Sequence, residues 1–134
     1  MTDTVLVTGA TAGFGRAISE RLVKDGYRVI GTGRRAERLD ALQASLGDNF
    51  LPLALDMLDK EALRAPPTEL PEGWREVAVL ANNAGLALGM DPAPTPDVDD
   101  WARMVGTKGS GLVSLTHGPL PGTVGLQCGP LTFL

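Results

Sequence analysis

The run Thr4-Val-Leu-Val-Thr8 is apolar and β-branched, with no polar alternation, and it leads directly into Gly9, Gly13 and Gly15. Such a run suits a strand covered on both faces in a parallel sheet. In the next stretch, residues 14–25, Phe14, Ala17, Ile18, Arg21 and Leu22 recur at helical spacing, and Ala17, Ile18 and Leu22 form an apolar stripe. A buried strand, a glycine turn and an amphipathic helix in that order constrain the chain strongly. Missing β-carbons let the backbone reverse sharply and bring its N–H groups close to a phosphate, while the following helix aims its positive end at the same point. The spacing is G-x3-G-x-G rather than G-x-G-x-x-G, but the physical requirement is the same. The strand-to-helix context is the one a dinucleotide pyrophosphate needs.

The pattern continues along the chain. Gly26 ends the first helix where a left-handed residue is wanted. Residues 27–32 read as a second buried strand, and 36–46 as a second helix with Leu39, Leu42 and Leu46 on one face, closed by Gly47. Residues 49–55 read as a third strand, and Pro52 within it points to a sheet edge because proline cannot donate to a ladder. A short helix over 59–65 gives way to a polar, proline-bearing surface segment over 66–76. A fourth strand over 77–81, a loop over 82–96 and a fourth helix over 97–105 follow, the helix with acidic residues at its positive end. Regular strand–helix alternation predicts an α/β fold with a parallel sheet. Right-handed crossovers then place the first four strands in the order 3-2-1-4.

Composition narrows the function classes. The 134 residues suit one domain, and 12 Lys and Arg against 16 Asp and Glu give a net charge of −4. No basic run exceeds Arg34-Arg35, which argues against a nucleic-acid surface and a polybasic membrane patch. No apolar run approaches the ~20 residues of a membrane span. The N-terminus lacks the basic flank of a secretory signal. One cysteine, Cys128, and one histidine, His117, leave no intrachain disulfide and no Cys/His zinc site, which fits a cytoplasmic location. Trp74 and Trp101 are expected at the boundary between loops and core.

The end of the second strand tests the dinucleotide reading. A site for NAD places Asp or Glu there, about 20 residues beyond the turn, to hold the ribose hydroxyls. This chain instead has Thr-Gly-Arg-Arg, with Arg34 and Arg35 offering positive charge where a 2′-phosphate would sit. A guanidinium binds phosphate with two parallel hydrogen bonds, so the expected coenzyme is NADP. The absent acid also weighs against a methyltransferase.

Together "TGATAGFG", "GRR", "LALDM" and "NNAG" resemble the short-chain dehydrogenase/reductase family. The stretches "LGDN" and "NNAGLALGMDPA" are similar to its NADP-dependent 3-hydroxy acid and serine dehydrogenases. The resemblance implies a Rossmann-like, incomplete doubly wound fold, in which the family's fifth strand would correspond to about residues 131–134. It covers residues 4–105 and weakens after that, so the chain reads as a single partial dinucleotide-binding domain over 1–134 with a divergent tail over 106–134. It implies that Gly9, Ala10, Thr11, Ala12, Gly13, Phe14 and Gly15 line the pyrophosphate and adenosine ribose, and that Arg34 and Arg35 take the 2′-phosphate. Asp56 would accept from the adenine amino group and Met57 would offer its backbone N–H. Asn82, Asn83, Ala84 and Gly85 would border the nicotinamide-side ribose. Read from the residues alone, Asp56 could equally be a helix cap.

By the same resemblance, the family transfers hydride between nicotinamide and a carbonyl or alcohol. A tyrosine is the general acid/base, a lysine four residues later lowers its pKa, a serine orients the substrate and an asparagine supports a proton-relay water. A free tyrosine ionises near pH ~10, so it needs that cationic neighbour. Here the one tyrosine, Tyr27, is followed four positions later by Gly31. Lys108 stands at the asparagine's place and Ser110 at the lysine's. No catalytic residue is assigned, and these residues alone are expected to give no turnover. After residue 105, glycines and prolines interrupt positions that still look helical, and local and global preferences conflict. The alternatives are a non-catalytic NADP-binding module, a subunit that needs a partner chain, and an unstable fragment. An uncovered sheet edge and fourth helix would favour self-association.

Overall fold

The computed structural model describes residues 3–64, 70–84, 98–106 and 131–133. Five strands form one parallel sheet: β1 (Thr4–Val7), β2 (Arg28–Gly33), β3 (Phe50–Ala54), β4 (Val77–Asn82) and β5 (Leu131–Phe133), in the order β3-β2-β1-β4-β5. The helices are α1 (Gly13–Lys24), α2 (Ala36–Leu46), α3 (Lys60–Arg64) and α4 (Val98–Val105). The 3-2-1-4 order and the additional strand near the C-terminus agree with the sequence expectation. Pro52 lies on β3, an edge strand, opposite Gly31.

Strand alternation builds a core on each side of the sheet. On β1, Val5 and Val7 face one way and join Val29, Leu39, Leu42 and Phe50, with Ile18, Leu22 and Leu46 packed against them. Leu6 faces the other way and joins Ile30, Met57, Leu63, Leu70, Val77 and Leu80. Successive side chains of a strand point to opposite faces, and here both faces are covered. The absence of polar alternation in β1 and β2 follows.

Two local readings are corrected. The inward stripe of α1 is not Ala17, Ile18 and Leu22. Ala17 is exposed, and the buried positions are Gly15 and Ser19, beside Ile18 and Leu22. Small residues win that face because the helix lies close against the turn before it, and the Ser19 hydroxyl donates to the Gly15 carbonyl at 2.8 Å. The expected polar surface segment is also partly internal: Leu70 is buried in the second core cluster and Trp74 packs against it. Trp74 also carries the Arg28 guanidinium 5.5 Å from its ring centroid. Several strand limits shift by a residue: β1 ends at Val7, β2 runs from Arg28 to Gly33, β3 from Phe50 to Ala54, and β4 ends at Asn82.

Because every strand runs the same way, the residues that follow β1, β2, β3 and β4 meet at one edge of the sheet. That edge carries Thr8, Gly33, Asp56 and Asn82–Asn83. Ligands of open α/β sheets bind outside the carboxyl ends of their strands.

Candidate coenzyme-binding site

The turn after β1 is shaped by two glycines with positive φ, Gly9 at 67° and Gly13 at 56°. Side chains are strained in that conformation. Gly15 is required for a different reason: a β-carbon there would overlap the Gly9 carbonyl and the Asn83 amide. The glycine lets α1 start directly against the turn. A β-carbon on Gly13 would meet nothing within 4 Å, so open space lies in front of that residue.

The N-cap of α1 is Ala12, in extended conformation and with no side-chain cap. A serine or aspartate there would have satisfied one of the first N–H groups itself. Alanine leaves them available to an external acceptor at the positive end of a 12-residue helix. Phe14, 81% exposed, stands beside this opening.

The cradle is held from β4. The Asn83 side-chain amide donates to the Thr8 carbonyl at 3.1 Å and to the Gly9 carbonyl at 3.2 Å. In return the Thr8 hydroxyl accepts the backbone N–H groups of Asn83 and Ala84, each at 2.9 Å. Thr8 is fully buried, and its own N–H donates to Ala81 at 3.1 Å. Ala10, also buried, donates to the Thr32 carbonyl of β2 at 2.9 Å. The turn is therefore tied to both neighbouring strands. Sequence reasoning missed Thr8, whose signal was a β-branched hydroxyl at the last strand position before Gly9.

The other expected residues fall around the same edge. Arg34 and Arg35 are exposed just past β2, and Arg35 is the N-cap of α2. Thr11 packs on the end of β2, where a β-carbon on Gly33 would come 3.0 Å from its methyl group. The Asp56 carboxylate accepts the Leu58 N–H at 2.9 Å, a local turn contact rather than a cap of α3. The cap contact of α3 comes from Asp59, which accepts from Ala62 at 3.1 Å. The Met57 side chain is part of the core. Asn82 is 2% exposed, and neither atom of its side-chain amide has a partner among the described residues. Gly85, Lys108, Ser110, His117 and Cys128 lie outside the described residues, as does the side chain of Trp101. Among the described residues no cluster of His, Cys, Asp or Glu could hold a metal ion, and no helix is long and apolar enough to cross a membrane.

The short chain dehydrogenase family model matches residues 3–129. The chain belongs to the short chain dehydrogenase family. That match extends well past residue 105, where the motif-level resemblance weakens. Among similar short chain dehydrogenases, the serine 3-dehydrogenase of Rhizobium radiobacter is 53% identical over 121 residues, 90% of this chain and 49% of that protein. The NADP-dependent 3-hydroxy acid dehydrogenase YdfG of Salmonella typhi is 51% identical over 90% of this chain and 48% of its own length. The crystal structure of serine dehydrogenase from Escherichia coli superposes with a TM-score of 0.92 at 46% identity, over 97% of this chain and 60% of that one. A closed form of serine dehydrogenase complexed with NADP+ gives the same TM-score and identity over 52% of its chain. The chain thus spans about half the length of the curated short chain dehydrogenases it matches.

Proposed function

We propose that these residues form the coenzyme-binding half of an NADP-dependent dehydrogenase. The observation that carries this reading is the uncapped start of α1, facing the open space at Gly13 and backed by a turn that Asn83 and Thr8 hold in place. A diphosphate fits there because the chain supplies donors and leaves the acceptor to the ligand. Gly9 through Gly15 would line the pyrophosphate and ribose. Arg34 and Arg35 would hold the 2′-phosphate. Asp56 and the Met57 backbone would border the adenine, and Asn82 through Gly85 the second ribose. The buried amide of Asn82, without a partner among the described residues, supports that last assignment, since an unsatisfied buried amide costs about 1–3 kcal/mol. The relatives named for NADP support the choice of coenzyme.

When bound, NADP supplies the hydride acceptor or donor. This chain's own residues would bind and orient it. The reaction proposed for the assembled enzyme is oxidation of a small hydroxy acid, as the names of its relatives suggest. These 134 residues hold one tyrosine, with no lysine four positions later, so no side chain is assigned as its general acid/base. The expected behaviour of the chain alone is coenzyme binding without turnover.

NADPH titration followed by nicotinamide fluorescence tests the binding half. Saturable binding is expected, and Arg34→Ala should weaken NADPH far more than NADH. Equal effects on both would remove the 2′-phosphate assignment. NADP-linked oxidation of L-serine or 3-hydroxybutyrate by the pure chain would overturn the prediction of inactivity.

Self-association is the second part of the reading. Val98, Ala102 and Val105 are exposed at positions i, i+4 and i+7 of α4, with Val98 76% and Val105 69% accessible. That spacing puts them on one helix face. A second copy would cover this stripe, and sedimentation should show a dimer or larger species that Val105→Glu disperses. A monomer at tens of micromolar would count against it.

A further inference from the structure

Among the described residues β3 pairs with β2 alone, so one of its sides is an open edge of the sheet. The strand and the residue after it, Phe50-Leu-Pro-Leu-Ala-Leu55, are apolar throughout and carry no charge. An uncharged apolar segment of this length on an open edge is a template for pairing with another chain. Charged side chains commonly blunt such an edge, and this strand has none.

The ladder shows where each backbone group points. The Leu55 N–H donates to the Gly33 carbonyl at 2.8 Å. Alternate residues of a parallel strand turn their N–H and C=O groups toward the same neighbour. Leu51, Leu53 and Leu55 therefore bond to β2, while Phe50, Pro52 and Ala54 turn their backbone groups outward. The pairing of Gly31 with Pro52 requires the same phase, because Pro52 has no N–H to give to β2.

Most of the outward groups are withdrawn. The Phe50 N–H donates to the Gly47 carbonyl, at the start of the short 3-10 turn Gly47–Asn49. The Phe50 carbonyl accepts from the side-chain amide of Gln43 on α2 at 3.4 Å. Pro52 presents no N–H at all. Within β3 the Ala54 N–H is the outward donor that remains, whereas a ladder needs donors in series, two residues apart.

We infer that Pro52, helped by Gln43 and the turn at Gly47, closes the β3 edge to strand addition, and that the partner it excludes is β3 of a second copy of this chain. Two copies related by a two-fold axis would meet through the same apolar residues, since such an interface is self-complementary. The inference is independent of the coenzyme reading, and self-association through α4 uses a different surface.

The test is Pro52→Val in the full chain, alone and combined with Val105→Glu, which alters the α4 stripe. Valine restores the outward N–H and loses no bond to β2, so the variant should fold by circular dichroism and melt within a few degrees of the parent. Sedimentation at tens of micromolar should show more association than in the matched protein with Pro52, and thioflavin T fluorescence should rise. Hydrogen exchange at residues 52 and 54 should slow by about tenfold or more as concentration increases, because pairing protects those amides. Adding Gln43→Ala should strengthen the association. Adding Ala54→Pro takes a donor from the same edge again and should restore the parent's behaviour. A folded Pro52→Val that sediments like its matched parent, with exchange at 52 and 54 independent of concentration, overturns the inference. Association that persists in a folded Pro52→Val, Ala54→Pro double variant places the contact elsewhere and also overturns it. An unfolded Pro52→Val would assign the proline to the stability of β3 rather than to its edge, with the same consequence.

Discussion

The side-chain amide of Asn83 donates to the backbone carbonyls of both Thr8 and Gly9, across 75 and 74 residues of chain. The hydroxyl of Thr8 answers by accepting from the Asn83 and Ala84 backbone. The glycine turn is thereby fixed relative to β4 rather than only to its own strand and helix. A preorganised cradle loses less ordering entropy when a ligand arrives.

Replacing Thr8 by valine keeps the shape and removes an acceptor shared by two part-buried N–H groups; the Asn83 N–H keeps the Ala81 carbonyl at 3.1 Å, and the Ala84 N–H loses its acceptor. An unsatisfied buried donor costs about 1–3 kcal/mol, so Thr8→Val should lower the urea-unfolding free energy by about 1–2 kcal/mol. Thr8→Ser should recover most of that loss. Equal stability of Thr8→Val and the parent would show that these two contacts carry no weight.

Gly13 and Gly15 should respond differently to alanine. At Gly13 the β-carbon meets open space and only the positive φ is at issue, a cost of about 1–2 kcal/mol. At Gly15 the β-carbon would overlap the Gly9 carbonyl, which belongs to the backbone and cannot swing away. Gly15→Ala should therefore be the more destabilising in thermal melts and should abolish NADPH binding by displacing α1. The reverse order of stabilities would contradict the observed packing of α1 on the turn.

Gly33 ends β2 at the place where an NAD site carries its acid. Gly33→Asp would set a carboxylate beside the 2′-phosphate position, where like charges repel. The expected outcome is a fall in NADPH affinity of at least tenfold, with NADH affinity kept or raised. The neighbouring Thr11 methyl must shift by a few tenths of an ångström, so folding should be checked by circular dichroism. Unchanged NADPH affinity in a folded variant would place the 2′-phosphate elsewhere.

In β2, a β-carbon on Gly31 would overlap the ring of Phe50, a fully buried side chain. Overpacking of this kind costs about 1–3 kcal/mol. Gly31→Ala should be destabilising alone and cost less in a Phe50→Leu background, a coupling that a double-mutant cycle by chemical denaturation would measure. Additive effects would mean that the ring and the strand do not share that space.

Periodicity made much of this protein legible. The apolar run at residues 4–8, the Leu39, Leu42 and Leu46 stripe and the edge proline Pro52 each carry local information, and the sheet order follows from crossover handedness. The glycine turn was readable because Gly9, Gly13 and Gly15 lie in one short segment with its strand and helix on either side. The inward face of α1 was not. Hydropathy favours Ala17, yet Gly15 and Ser19 are buried because close approach to the turn selects small size over apolarity. Leu70 in a polar segment was missed for a similar reason, since a single residue has no period and its burial depends on Met57 and Leu63 arriving from elsewhere.

By itself, then, the sequence determined the alternation of elements, the parallel sheet and the glycine turn, because all of these depend on spacing along the chain. Only the tertiary structure decided which groups brace that turn and which cations stand beside it. Thr8 meets Asn83, and Arg16 and Arg38 come to line one cleft, only after the parallel strands bring their carboxyl ends to one edge and lay α1 beside α2. Contacts of that kind depend on distances in space, which residue spacing does not encode.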